Sequence, residues 1–478
     1  MSLVRDTLKS AQTLKALICL SGLILFFTCA RAQDSLPSVD SLYLSGVFFK
    51  GAKKTKEPIM YREVTLKAGK WYPKDFLVGQ LQRSRQNLMN TALFNFVDIT
   101  QRVSRDSVEV TFNVTERWYI WPSPLFEFVD PNFNTWYQSK DLSRTSYGFL
   151  VTQYNFRGRN ETLRLRAKFG YNEQYSLSYE LPYIDKQKTV GVGLYLSYFQ
   201  NYQVNTATEE NKRVFYTIRG DVAREEASVG TRFTYRPAQY SRHFVSFKYN
   251  QVSVTDSIPM LFPDYLQHGL QRRKFVEIGY QFSYDKRDYS PYPLVGSYYT
   301  ASVYKPDISV GNGKQDGLVQ LYGQIKKYHD IGRNMFFAYS ASAKYSIYKT
   351  LPYYFQRGLG YSDFVRGYEY YIVDAQHYAI VKTSLKYRLM KKREVKLGFI
   401  KSEKFNRLFF ASYLNLNVDA AYAVDKLYQD KNPLANTLLL GGGIGLDLVS
   451  YYDIIIRGEY SLNKMGQPGF FLHFSRPI

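Results

Sequence analysis

From about residue 145 to the end, apolar and polar residues alternate with a period of two. Leu163, Leu165, Ala167 and Phe169 alternate with Thr162, Arg164, Arg166 and Lys168. Val276, Ile278, Tyr280 and Phe282 alternate with Glu277, Gly279, Gln281 and Ser283. Phe337, Tyr339, Ala341, Ala343 and Tyr345 alternate with Ala338, Ser340, Ser342 and Lys344. Leu414, Leu416, Val418 and Ala420 alternate with Tyr413, Asn415, Asn417 and Asp419, and near the end Tyr452, Ile454, Ile456 and Tyr460 oppose Asp453, Arg457 and Glu459. Successive strand side chains point to opposite faces, so each segment is predicted to be a strand with one apolar and one polar face. The strands recur roughly every 20 residues and are long, as tilted membrane-spanning strands must be. A soluble β-sandwich or propeller is the competing architecture. Residues 145–478 give room for about 16 strands, an even number that suits a transmembrane antiparallel β-barrel. Closure would also remove the sheet edges that make long strands hazardous. The polar set, including Arg164, Arg166 and Lys168, then faces a lumen.

Residues 33–117 follow another pattern. A strand begins at Leu42-Tyr43-Leu44, and Lys50-Gly51-Ala52-Lys53-Lys54 makes a turn. After Pro73 and Lys74, the positions Leu77, Leu81, Ser84 and Leu88 fall on one helix face. Val97 and Ile99 predict a strand, and Val108, Val110, Phe112 and Val114 another. There is room for a short helix near Met60 to Leu66. The segment reads as one small α/β module. Trp118, Trp121, Pro122 and Pro124 mark its end and suit arrival at a membrane surface, so 118–144 is expected to be an interfacial linker.

The first 32 residues read as a secretory signal. Arg5, Lys9 and Lys15 precede an apolar core from Ala16 to Phe27, and Ala30-Arg31-Ala32 is a small-x-small cleavage site that would leave Gln33 first. A single membrane anchor is the alternative, but the core is shorter than the ~20 residues a spanning helix needs. Lipid attachment at Cys29 is disfavoured by the bulky Phe26-Phe27 before it. Both cysteines, Cys19 and Cys29, lie in this segment, so disulfides and thiol-ligated metals are not expected downstream.

The 45 tyrosines and 33 phenylalanines coexist with a mean hydropathy of -0.35 and no long apolar run after the signal. That excludes helical membrane spans and fits strands flanked by aromatic girdles. A net charge of +22 would ordinarily suggest nucleic acid. Export argues against that partner and favours anionic outer-membrane lipids, lipopolysaccharide or a basic lumen.

Catalytic chemistry is not evident. Gly-x-Ser-x-Gly and His-Glu-x-x-His are missing, and Gly441-Gly442-Gly443-Ile444-Gly445 lacks the lysine of a phosphate loop. That run reads as a strand start with little side-chain bulk. The five histidines are scattered without metal-ligand spacing. Asp285, Arg287 and Asp288 read as a charged strand end or turn. No enzyme activity, metal or cofactor is expected. The most informative segment is Phe364-Val365-Arg366-Gly367-Tyr368, an arginine and glycine at a loop tip inside a barrel, suited to an internal plug or gate.

Several motifs, in order, carry a resemblance. They are Gly51-Ala52-Lys53-Lys54-Thr55, Arg62-Glu63, Gly69, Leu93-Phe94-Asn95-Phe96-Val97 and Val114-Thr115-Glu116-Arg117 in the module. In the barrel they are Asn155-Phe156-Arg157-Gly158-Arg159-Asn160, Asp285-Lys286-Arg287-Asp288 with Pro293 and Gly296, and Val365-Arg366-Gly367-Tyr368. Together they resemble the BamA/TamA-like outer-membrane assembly and translocation proteins, also called the bacterial surface antigen family. The resemblance implies one periplasmic POTRA module followed by a 16-stranded barrel in the bacterial outer membrane. It implies that Arg366 folds into the lumen and contacts the strand carrying Asp419, where the family has Asp-x-Gly and this chain has Asp419-Ala420-Ala421; Asp419 merely lining a polar lumen is the plain alternative. Lys386-Tyr387-Arg388 departs from the family, which has glutamate two residues before the arginine. A lateral seam between first and last strands is implied at Gly148 to Asn155 and Gly469 to Phe474, with Gly148, Gly469 and Phe474 as its markers. An ordinary turn after Pro468 would equally explain Gly469. The implied function is assembly, insertion or translocation of unfolded envelope-protein clients, with accessory lipoproteins or periplasmic subunits as possible partners. A dedicated secretion channel or an anion-permeable pore is the alternative.

Overall fold

The computed structural model describes residues 41–128, 145–218, 220–311, 317–402 and 404–475; the expected signal segment and the chain's last three residues lie outside them. The chain begins with a four-stranded sheet of β1 (Ser41–Lys50), β2 (Lys70–Pro73), β3 (Phe94–Ser104) and β4 (Ser107–Glu116), in the order β2-β1-β4-β3. Two helices cover it, α1 (Glu57–Tyr61) and α2 (Lys74–Asn90). The helix spacing read from the sequence is realised: Leu77, Leu81, Ser84 and Leu88 are buried on α2. They pack with Leu44, Val47, Met60, Phe94, Val110 and Phe112 into one core, and that apolar burial is what holds so small a module together.

The rest is one sixteen-stranded antiparallel sheet, the number that strand spacing predicts. Its first half comprises β5 (Ile120–Phe128), β6 (Thr145–Phe156), β7 (Glu161–Gly170), β8 (Asn172–Leu181), β9 (Val190–Asn201), β12 (Arg224–Tyr235), β13 (Ser241–Val254) and β14 (Arg272–Asp285). Its second half comprises β15 (Gly296–Ser309), β16 (Val319–Gly332), β17 (Met335–Ile347), β18 (His377–Lys396), β19 (Arg407–Val424), β20 (Leu438–Ser450), β21 (Ile455–Asn463) and β22 (Pro468–Ser475). A separate hairpin, β10 (Gln203–Glu209) and β11 (Lys212–Thr217), and a short helix, α3 (Ser257–Leu261), rise from loops at the end far from the module. No helix among the described residues is long and apolar enough to cross a membrane. The strands do so instead: Leu165, Ile278, Tyr339, Leu416 and Val418 are exposed on the outside, while Asn415, Asn417 and Asp419 are buried inside.

Three expectations need correction. Residues 118–144 are not all linker, because Ile120–Phe128 forms β5, the sheet's first strand, paired along its length with β6. The barrel therefore starts at Ile120, not 145. Consequently Gly148 is not on a terminal strand; it lies in β6, paired with Leu125 of β5 and Lys168 of β7. The prolines that suggested a linker are tolerated because a proline whose nitrogen faces away from its partner strand removes no ladder bond. Tyr119 C=O accepts from Tyr154 N–H at 2.7 Å, which puts the odd-numbered residues of β5 toward β6 and turns Pro122 and Pro124 away. Thirdly, Tyr451–Asp453 is a tight turn with positive φ at Tyr452 and Asp453, so the strand pattern begins only at Ile455.

The α/β module sits against the near-end turns of the barrel at several separate points. Asn155 Nδ2 donates to Thr55 Oγ1 at 2.8 Å, and Lys56 N–H to Gly158 C=O at 2.9 Å. Asn90 at the end of α2 accepts from Ser290 N–H at 2.9 Å, in the turn that Asp285 and Arg287 open. Asn95 Nδ2 donates to Tyr451 Oη at 3.0 Å, and Arg117 forms a buried pair with Asp453. A second buried pair is Glu63 with Arg236, 2.6 and 2.9 Å apart across both carboxylate oxygens and nearly excluded from solvent. Burial pushes the Glu63 carboxyl up, but the Arg236 guanidinium outweighs it and holds the group below its usual range. Removing one partner of such a buried pair costs about 3–5 kcal/mol. Glu63→Gln is therefore expected to loosen the module, read as faster amide exchange over residues 57–66. Because the folded-state value is depressed, the pair's contribution is full above the ordinary carboxylate range and is lost as pH falls through the depressed value. Amide exchange that is insensitive to the substitution would refute the docking role.

Candidate functional site

The loop between β17 and β18 (residues 348–376) turns inward. Its chain doubles back through a Leu359–Val373 bridge, and Val365 and Tyr368 are buried with Ala421, Ala423 and Leu439 of the barrel wall. Ala421, standing where the resembling family has glycine, is thus a packing position under the loop. Gly367 adopts φ 81°, and an added Cβ there would lie 2.9 Å from Asn463 N. Gly441 is the tighter point: a Cβ on it would lie 1.8 Å from the Arg366 carbonyl oxygen. Gly441 therefore makes room for loop backbone against β20, while Gly443 and Gly445 let Ser461 of β21 and Asn415 of β19 approach.

This seating brings Arg366 and Asp419 together. Arg366 Nη1 donates to Asp419 Oδ1 at 2.5 Å, and Arg366 N–H to Asp419 Oδ2 at 3.2 Å. The guanidinium also reaches a second carboxylate, with Nε 3.1 Å from Glu459 Oε1. Asp419 and Glu459 side chains are 0% and 1% exposed. Asn417 Nδ2 and Ser461 Oγ donate to Glu459 at 3.0 and 2.8 Å, so both its oxygens are engaged. One cation thus holds strands β19 and β21 to the loop with charge-assisted hydrogen bonds in a partly dry lumen. The sequence pattern gives Glu459 a polar face but no partner. Its lumenal parity was legible, but nothing in the sequence says that the loop reaches two strands further.

Closer to the module, Arg457 Nε donates to Asp447 Oδ1 at 2.6 Å, and Tyr292 Oη to Asp447 Oδ2 at 2.7 Å. Arg117–Asp453 follows at the mouth. Lys386, in the strand position that departs from the family, places its ammonium 3.9 Å from the Tyr292 ring centroid.

The loop also touches the last strand. Phe364 stacks on His473 with ring centroids 5.9 Å apart, and Tyr370 meets Phe471 at 5.3 Å. Gly469 lies within β22, opposite Ser461, and not in a turn. Phe474 is on the same strand, 69% exposed on the outer face. The structure therefore gathers Val365, Arg366, Gly367, Tyr368 and Asp419 in one site and puts Gly469 and Phe474 on the neighbouring strand. Gly148 is elsewhere. Among the described residues no cluster of histidine, aspartate, glutamate or cysteine could hold a metal ion.

With this geometry in hand, the family match is direct: residues 155–437 match the Omp85 superfamily domain, and residues 42–117 match POTRA, the surface antigen variable number repeat. The chain belongs to the Omp85 superfamily. Its fold is similar to that of BamA from Haemophilus ducreyi lacking POTRA domains 1–3, at 14% identity and a TM-score of 0.50, covering 91% of this chain and 83% of that one. CdiB from Acinetobacter baumannii gives 11% identity and a TM-score of 0.47, covering 91% of this chain and 73% of that one. By sequence, no curated protein matches the chain. The superfamily barrel with its POTRA domain implies the bacterial outer membrane, the POTRA domain on the periplasmic side, and a part in protein assembly or secretion.

Two substitutions separate charge from shape at the loop. Arg366→Ala leaves two buried carboxylates without their cation, and about 3–5 kcal/mol of stability should be lost. The expected readouts are a lower temperature for the heat-induced gel shift and higher conductance in planar bilayers; if both stay unchanged, the loop is not a plug. Gly441→Ala keeps every charge but collides with the Arg366 carbonyl, so it should raise conductance in the same direction. Conductance equal to wild type would show that close backbone approach at Gly441 is dispensable.

Proposed function

We propose that this protein helps insert or translocate envelope proteins at the outer membrane through a lateral seam between β5 and β22. The observation that carries the reading is the hydrogen-bonding poverty of those two terminal edges. Among the described residues, β5 and β22 stand at opposite ends of the strand order with no ladder between them. Pro122 and Pro124 turn their nitrogens to the outer edge of β5. Asn463 N–H donates to Gln467 C=O, which fixes the phase of β22 and turns Pro468 to its outer edge as well. Three positions facing the seam therefore cannot donate, whatever closes it. In an apolar membrane every unmade backbone bond is costly, so this junction is the weakest in the barrel.

A client strand can add to such an edge by β-augmentation. The POTRA sheet offers a second edge, β3, whose residues from Thr100 to Ser104 are exposed, suited to receive a client before it reaches the barrel. The client's own folding supplies the driving force, without nucleotide. A dedicated secretion channel or an anion pore is the second reading. The inward loop and the module against the near-end turns weigh against a permanently open pore. Accessory lipoproteins and lipopolysaccharide are compatible partners.

Reconstitution in lipid vesicles with an unfolded outer-membrane barrel tests the proposal. Protease-protected, heat-modifiable client should form faster than in empty vesicles or with an unrelated porin. No acceleration, together with steady anion-selective conductance, would transfer the function to a pore.

A further inference from the structure

At the periplasmic mouth the POTRA domain and the barrel wall enclose a cavity of about 480 Å3. Helix α2 contributes Arg83 to its lining, and strands β9, β12 and β13 contribute Tyr195, Arg232, Phe244 and Arg242. Phe233, Tyr235, Val245 and Phe247 are exposed on the outer face of β12 and β13, so strand parity turns Arg232 and Arg242 into the lumen. A cavity of this size accommodates a small organic ligand.

The charges around it do not balance. Five arginines and three acids line the cavity, and each acid is already engaged. Glu63 holds Arg236, Asp285 holds Arg287 at 2.6 Å, and Glu180 lies 3.2 Å from Arg164. Arg83, Arg232 and Arg242 are left without an ion-pair partner among the described residues.

Neutral groups position two of these three cations without cancelling their charge. Arg83 Nε donates to Tyr240 Oη at 2.8 Å and Nη1 to Gln86 Oε1 at 3.1 Å, which leaves Nη2 uncommitted. Arg232 stands 5.3 Å from the Tyr195 ring centroid and 5.9 Å from that of Phe244. Arg242 makes no hydrogen bond among the described residues. The β12–β13 ladder ends at the Tyr235–His243 pair, so Arg236 and Arg242 come next to each other just beyond it. Like charges on facing strands repel, and Glu63 relieves only Arg236. An excess of one sign in a cleft with low-dielectric walls focuses the field and concentrates the opposite ion.

We infer that this cavity binds an anion bearing two phosphate groups, which bridges Arg83 of the POTRA domain to Arg232 and Arg242 of the barrel. A guanidinium fork matches phosphate oxygens bidentately. A carboxylate brings one charge against three cations and a phosphomonoester about −1.5 to −2, so two phosphate groups come nearest to neutrality. Free diphosphate and the headgroup of a bisphosphorylated glycolipid share this chemistry. The site uses neither β5 nor β22 and stands apart from the seam reading.

The test is calorimetric titration of diphosphate into the full-length protein in zwitterionic nanodiscs, with succinate as a dicarboxylate control. Diphosphate is expected to bind about tenfold more tightly than succinate, and Arg232→Gln and Arg242→Gln each to weaken it about tenfold. Arg166→Gln removes a lumenal cation that does not line the cavity and should leave the affinity unchanged. Each variant is first shown to keep its heat-induced gel shift. Bound diphosphate should also slow amide exchange over Lys74–Asn90, because only the docked domain brings Arg83 to the site. Nanodiscs containing a bisphosphorylated glycolipid then assign the source: displacement of diphosphate supports the lipid headgroup, and undisturbed binding supports the free anion. Equal affinity for succinate and diphosphate, or an equal loss in Arg166→Gln and Arg242→Gln, would overturn the site and leave only the diffuse charge of a basic lumen. Diphosphate binding with unchanged exchange over the helix would overturn the bridge.

Discussion

The demand that every backbone N–H and C=O be paired in a medium without water governs this architecture. It explains why the spanning strands are gathered into one sheet and why each is long. It also locates the exception. Pairing can be relaxed only where the chain's two terminal strands meet, because every interior strand is committed on both sides. Pro122, Pro124 and Pro468 lie at that place and face the direction in which their missing donors do no harm to the existing ladders.

Inside the barrel the governing physics is charge in a low-dielectric space. Three arginine–carboxylate sites lie at successive depths: Arg366 with Asp419 and Glu459, Arg457 with Asp447, and Arg117 with Asp453. Every carboxylate in them belongs to β19, β20, β21 or the turn just before β21. A buried charge is tolerable only when paired and hydrogen-bonded, so these sites fix the loop and the POTRA domain in defined positions against the closing strands. The opposite wall, around β12 and β13, carries the Glu63–Arg236 contact instead. The POTRA domain is therefore held from two sides of the mouth.

Much of this was legible in the residues. Period-two alternation identifies the lipid and lumen faces, including Asp419, and the 4-3-4 spacing of Leu77, Leu81, Ser84 and Leu88 identifies α2. Two things were not. β5 contains two prolines in a nine-residue strand and so reads as a linker; only the hydrogen-bond phase set by Tyr119 and Tyr154 reveals that both nitrogens face away from β6. Without β5 the strand of Gly148 looks terminal, whereas it is the second in the sheet. Glu459 escaped for a different reason. Its face was readable, but the pairing depends on how deeply a loop nearly a hundred residues earlier enters the lumen, and local pattern carries no information about that depth.

Arg117 and β5 are separated only by Trp118 and Tyr119, and both of these are themselves engaged: Trp118 N–H donates to Tyr452 Oη, and Tyr119 Oη to Leu93 C=O. There is no slack between the POTRA domain and the first strand. Arg117, paired with Asp453 just before β21, is the fixed point from which the soluble domain extends on one side and β5 on the other. The position of the soluble domain and the position of the first strand are therefore set together, through three consecutive anchored residues.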